Sequence, residues 1–104
     1  MAGYRLTSEA ANDPVQIWKY IARDGTEAAD RVEAAIYRAC ALVAQTPLIG
    51  QLRKHSSPLF VRFWTVTRFP NFVLVYRPDT KPLRVIRILH GKRNIPRVLK
   101  QPNP

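Results

Sequence analysis

The residues best suited to chemistry lie in the second half of this chain. His90-Gly91-Lys92-Arg93 places an imidazole just before two cations, and Arg97 and Lys100 follow. Arg62, Arg68, Arg84 and Arg87 add cations on stretches rich in β-branched and aromatic residues. Such a set suits one task well, which is holding an anionic target at several points together. General-base catalysis needs more, because a lone His has nothing to orient it. Neither His90 nor His55, which sits beside Arg53-Lys54, shows an orienting acid, so both read as structural hydrogen-bonders and catalytic residues stay unassigned. The single cysteine, Cys40, cannot form an internal disulfide, and no residues have metal-ligand spacing. With no Gly-rich phosphate loop and no Ser-His-Asp arrangement either, neither metal nor cofactor is expected.

Charge sharpens the reading. The formal net charge is +10, but it is not evenly spread. Residues 1–52 hold five Lys/Arg and six Asp/Glu, a net of −1; residues 53–104 hold twelve Lys/Arg against Asp79 alone, a net of +11. A half that basic attracts polyanions: nucleic acid, a machine bound to it, or an acidic protein. No apolar run approaches the roughly 20 residues of a membrane span. Met1-Ala2-Gly3-Tyr4-Arg5 lacks the apolar core of a signal peptide, so a cytoplasmic protein is expected.

The elements that must position these cations follow from periodicity. Tyr4-Arg5-Leu6-Thr7 reads as an opening strand, and Ser8 to Asn12 as a possible helical turn. Asp13-Pro14 is a start signal, with Asp13 as cap and Pro14 in the first helical position. Val15, Trp18, Ile21 and Ala22 then recur at helical spacing, and Gly25 supplies a left-handed turn. A second helix is expected from a Thr26 cap to about Gln45, with Ala29, Val32, Ile36, Cys40 and Val43 as its buried stripe. Trp18 reads as core; Tyr20, Phe63 and Trp64 are aromatics that would suit a protein-binding surface.

After a loop from Pro47 to Pro58, strands are expected at Val61–Arg68, Phe72–Tyr76 and Leu83–His90, joined by tight turns. A short helix in the tail from Asn94 would close a β-α-α-β-β-β order in one domain, residues 1–104. The class is α+β: a helical hairpin on one face of an antiparallel sheet, with Ile86 and Ile88 beneath it. With two helices between them, the first strand should lie antiparallel to the last.

Several segments carry a family resemblance. They are Tyr4-Arg5-Leu6-Thr7, Asp13-Pro14-Val15-Gln16-Ile17-Trp18-Lys19-Tyr20-Ile21, Thr46-Pro47-Leu48-Ile49-Gly50, and the ending Ile86 to Pro96 around His-Gly-Lys-Arg. In this order and spacing the chain resembles the ParE/RelE toxins of type II toxin–antitoxin pairs, on the ParE side, from Tyr4 to about Leu99. That resemblance implies a cognate antitoxin with an acidic segment, partly disordered when free. It also implies one of two targets, since ParE-like members poison DNA gyrase and RelE-like members cut messenger RNA on the ribosome. RNA cutting uses the RNA's own 2′-OH, with a base and cations around the phosphorane. Here Val73 stands where such chains carry an Arg, and Leu99 about where they carry a Tyr; Arg93 alone matches one of their cations. The expected action is therefore gyrase inhibition by binding, with Lys92, Arg93, Arg97, Arg87, Arg62 and Arg68 as target contacts. A ribosome-dependent RNase and an inactive antitoxin-binding relative are the alternatives.

Overall fold

The computed structural model describes residues 3–52 and 60–91. Strand β1 spans Tyr4–Leu6 and helix α1 Ser8–Ala22; helix α2 spans Thr26–Gln45 and strand β2 Gln51–Leu52. Strands β3 (Arg62–Thr65), β4 (Phe72–Arg77) and β5 (Leu83–His90) complete one sheet in the order β1-β5-β4-β3-β2. The α+β class and the helical hairpin packed on the sheet are as the sequence implies. The expected helix beyond Asn94 lies outside the described residues.

α2 matches its sequence pattern. Ala29, Val32, Ile36, Cys40 and Val43 are all buried, joined by Ala35 and Ala39. From Val32 to Val43 these side chains pack on Leu74, Tyr76, Leu83, Val85 and Ile88 of the sheet. Truncating a side chain as enclosed as Ile36 costs about 2–5 kcal/mol. α1 departs from its pattern. It starts at Ser8, not at Pro14, because Thr7 caps it: the Thr7 hydroxyl accepts from the Ala10 N–H at 3.1 Å. Pro14 therefore lies inside the helix and is buried. The inward stripe becomes Ala10, Pro14, Ile17 and Ile21, spaced by four, three and four. Val15 is exposed, and Trp18 is half-buried instead of core, its indole N–H donating to Asp30 on α2 at 2.8 Å.

Two turn assignments also change. Gly25 has φ 170, which is extended backbone, and it is Gly25 rather than Thr26 that occupies the N-cap of α2. β3 ends at Thr65, so Arg68 lies in the following turn, with φ +75.

The opening strand runs parallel to β5, not antiparallel. The missed element is β2. It pairs antiparallel with β3 inside what reads as a loop, and it adds one reversal of direction between α2 and the meander. With that reversal counted, β1 and β5 must point the same way. β3, β4 and β5 form the expected meander. A bulge where Val75 pairs with Arg87 and Tyr76 with Val85 leaves Ile86 as the extra residue. This bulge separates the two isoleucines: Ile88 is buried under the helices, while Ile86 packs with Val61, Phe63, Val73, Val75 and Leu89 in a second cluster on the opposite face.

Candidate functional site

β1 covers only Leu83 to Val85 of the outer edge of β5. Beyond it, the start of α1 takes the strand's place. The Thr7 N–H donates to Val85 O at 3.1 Å and its hydroxyl to Ile86 O at 2.8 Å. The Asp13 carboxylate then accepts the Ile88 N–H at 2.8 Å. Asp13 also receives the Arg87 guanidinium through Nε at 2.9 Å and Nη2 at 3.1 Å, a bidentate pair. The Asp13 hydrogen bonds push the Arg87 pKa upward. Asp13 is thus no helix cap; it is a surrogate partner for a strand edge.

A second set of bonds anchors the loop after α2. The Tyr76 hydroxyl, reaching from the sheet, donates to Pro47 O at 2.7 Å and accepts the Gly50 N–H at 2.9 Å. Burial pushes its pKa up. Arg62 closes the group by donating to Gly50 O at 2.7 Å. A Cβ on Gly50 would sit 2.5 Å from the Tyr76 hydroxyl and 2.9 Å from Phe63 O, so the site admits only glycine.

Against that geometry the expected contact residues divide. Arg87 and Arg62 are half-buried; Arg87 is paired with Asp13, and Arg62 donates through Nη1 to Gly50 O while its buried Nε has no partner among the described residues. Arg68 is exposed in its turn, and Arg84 is exposed on β5. Lys92, Arg93 and Arg97 lie outside the described residues, as do Arg53, Lys54, His55, Leu99 and Lys100. His90 is exposed at the end of β5, against Phe72 at 5.0 Å and Tyr20 at 6.4 Å between ring centroids. With Gln16 and Ile17 these rings line a cleft of about 320 Å³. No carboxylate meets His90 among the described residues, and no group of His, Cys, Asp and Glu there could hold a metal.

Of the aromatics expected to form a binding surface, Phe63 is buried, Trp64 is half-buried, and Tyr20 alone is strongly exposed. Sequence reasoning missed Tyr76 and the true partner of Asp13. The segments Tyr4 to Thr7, Asp13-Pro14 and Thr46 to Gly50 were visible, but each one's partner is a strand far along the chain.

The architecture is thus a helical hairpin on a mostly antiparallel sheet, closed by a parallel first strand. The family model for the ParE toxin of type II toxin–antitoxin system, parDE, matches residues 4–95, and the chain belongs to that family. Among solved structures it is similar to one described as the chromosomal ParDE TA system from P. aeruginosa. The identity is 25%, the match covers 88% of this chain and 98% of that one, and the TM-score is 0.74. No curated protein matches. No helix among the described residues is long and apolar enough to cross a membrane.

Proposed function

We propose that this ParE-family toxin acts in the cytoplasm by binding DNA gyrase, and that a cognate antitoxin with an acidic segment neutralises it. The observation that carries the reading is the state of the sheet face away from the helices. Val73, where RNA-cutting relatives carry an arginine, is buried with Val61, Phe63, Val75 and Leu89. Cleaving RNA there would need cations and a base at the positions these apolar side chains fill. His90, on the other face, has aromatic neighbours in place of an orienting acid. Binding through a basic surface needs neither.

The net +11 of residues 53–104 supports an anionic target and an acidic antitoxin. Two of the three described cations in the proposed contact set, Arg62 and Arg87, are committed to the fold. The weight of target binding therefore falls on Lys92, Arg93 and Arg97 with Arg68. The test compares wild type with Arg93→Ala/Arg97→Ala in gyrase supercoiling and in messenger RNA cleavage on ribosomes. Gyrase inhibition by the wild type, lost in a variant with an unchanged melting temperature, is the expected result. RNA cleavage without gyrase inhibition would overturn it and install the nuclease reading.

A further inference from the structure

Between α2 and the β3–β4 turn lies a cleft of about 470 Å³, lined by Ala35, Arg38, Ala39, Leu42, Thr67 and Arg68. Ala35 and Ala39 are buried and Leu42 is half-buried, so one side is aliphatic. The exposed cations, Arg38 from the helix and Arg68 from the turn, come from its two walls.

Neither arginine has a hydrogen bond or ion pair among the described residues. The sequence explains why. The helical neighbours of Arg38, three and four residues away, are Ala34, Ala35, Ala41 and Leu42, so no carboxylate on α2 can reach it along the face. The one acid of the second half, Asp79, is taken by Arg77 at 2.9 Å. Asp13 is taken by Arg87, and Asp30 by Trp18.

The turn holds Arg68 in a conformation an L side chain seldom adopts. The Phe69 N–H donates to Val66 O at 3.1 Å, which makes Arg68 the third residue of a turn with φ +75. Glycine or asparagine is the ordinary occupant there. An arginine in that position is locally disfavoured, and it brings a guanidinium to the cleft.

We propose that Arg38 and Arg68 form a two-arginine clamp for a carboxylate side chain carried by an acidic segment of a protein partner. Two planar forks, each able to donate a pair of parallel hydrogen bonds, fit a carboxylate's two oxygens. Phosphate shares that chemistry, but the aliphatic side of the cleft decides between them. Ala35, Ala39 and Leu42 give apolar contact to a peptide in which an acid adjoins aliphatic residues. A nucleic-acid backbone would set its sugars against those methyl groups. The clamp rests on the reading of this chain as a toxin bound by an acidic partner, and a synthetic peptide tests it without gyrase or an antitoxin.

The full chain, ¹⁵N-labelled, is titrated with an acetylated, amidated Ala-Leu-Glu-Ala-Leu peptide while the arginine Nε–Hε resonances are followed. The Arg38 and Arg68 resonances are expected to move together with one midpoint. The same peptide with Gln in place of Glu should bind about tenfold more weakly or worse, the scale of losing a hydrogen bond to a charged group. Arg38→Ala and Arg68→Gly should each lose a similar factor with the amide spectrum otherwise unchanged. Both sites tolerate their replacements, one an exposed helix position and the other a left-handed turn. Arg38→Lys/Arg68→Lys keeps the charge, removes the forks, and should bind nearly as weakly. No movement of either resonance would overturn the clamp, as would equal binding of the Gln peptide or undiminished binding by the lysine variant. Stronger response to a dT12 oligonucleotide than to the Glu peptide would overturn it in favour of a phosphate site.

Discussion

Asp13 and Arg87 meet at 2.9 Å across 74 residues of sequence, and the same carboxylate oxygen takes the Ile88 N–H. One side chain on α1 thereby satisfies both a backbone donor and a guanidinium on β5, at an edge where β1 has already ended. Asp13→Ala leaves the Ile88 N–H and the Arg87 charge unpaired in a partly buried place. A loss of about 2–4 kcal/mol in urea unfolding is expected. Asp13→Asn keeps an acceptor for one of the two and should lose about half as much. Equal losses for the two variants would mean the backbone bond contributes little.

Gly50 and Tyr76 give a second test. Gly50→Ala forces a methyl group against the Tyr76 ring and Phe63 O, which is backbone and cannot step aside. Destabilisation of about 2–4 kcal/mol is expected, from overpacking and the displaced hydroxyl bonds together. Tyr76→Phe leaves the Gly50 N–H and Pro47 O without their partner and should lower stability by about 1–3 kcal/mol. The double variant should lose less than the sum, because the phenylalanine removes the atom the methyl group strikes first.

Arg68→Gly separates stability from binding. With φ +75, the backbone at Arg68 carries a conformational penalty that glycine escapes. The melting curve should show a gain of up to about 1 kcal/mol, offset in part by glycine's greater freedom in the unfolded chain. Arg68→Val should move the other way, since a β-branched residue resists the left-handed region. A loss of stability in Arg68→Gly would show that the arginine side chain itself supports the turn.

Alkaline pH probes the core. Burial pushes the Cys40 thiol up to about 12 from an ordinary 9.0. Below pH 9 the thiol is protonated in both states and its contribution is intact. From pH 9 to about 12 the unfolded chain releases a proton that the folded chain keeps, so stability falls as pH rises. Cys40→Ala should flatten that slope while leaving the part due to Tyr76, whose pKa burial also raises. Iodoacetamide at pH 8 should label Cys40 only after denaturant is added.

Legibility in the sequence followed the range of the interaction. The α2 stripe from Ala29 to Val43 is local, and every member is buried as its spacing requires. The β3–β4–β5 meander was legible because its turns carry Pro70-Asn71 and Pro78-Asp79. Asp13 was misread because Asp-Pro is a local start signal, whereas the carboxylate answers to Ile88 and Arg87. The direction of β1 failed for want of Gln51–Leu52, two residues whose strand character comes from pairing with Arg62 and Phe63 rather than from their own pattern. For the site, the excess of cations was plain, but composition could not separate Arg62 and Arg87, which serve the fold, from Arg38 and Arg68, which face a cleft. Arg38 drew no notice because it stands in the helix half with net negative charge.

The parallel pairing of β1 with β5 also sets an order of events during synthesis. Tyr4 to Leu6 are made before both helices, and their partners, Leu83 to Val85, well after them. Thr7 waits likewise for Ile86, 79 residues on. The helical hairpin can form from neighbouring sequence soon after emergence, but the sheet edge that docks it cannot close until β5 has left the ribosome exit tunnel. A nascent chain stopped anywhere before β5 lacks the strand on which Thr7 and Asp13 dock. For a toxin, interrupted translation would then release fragments without the finished fold.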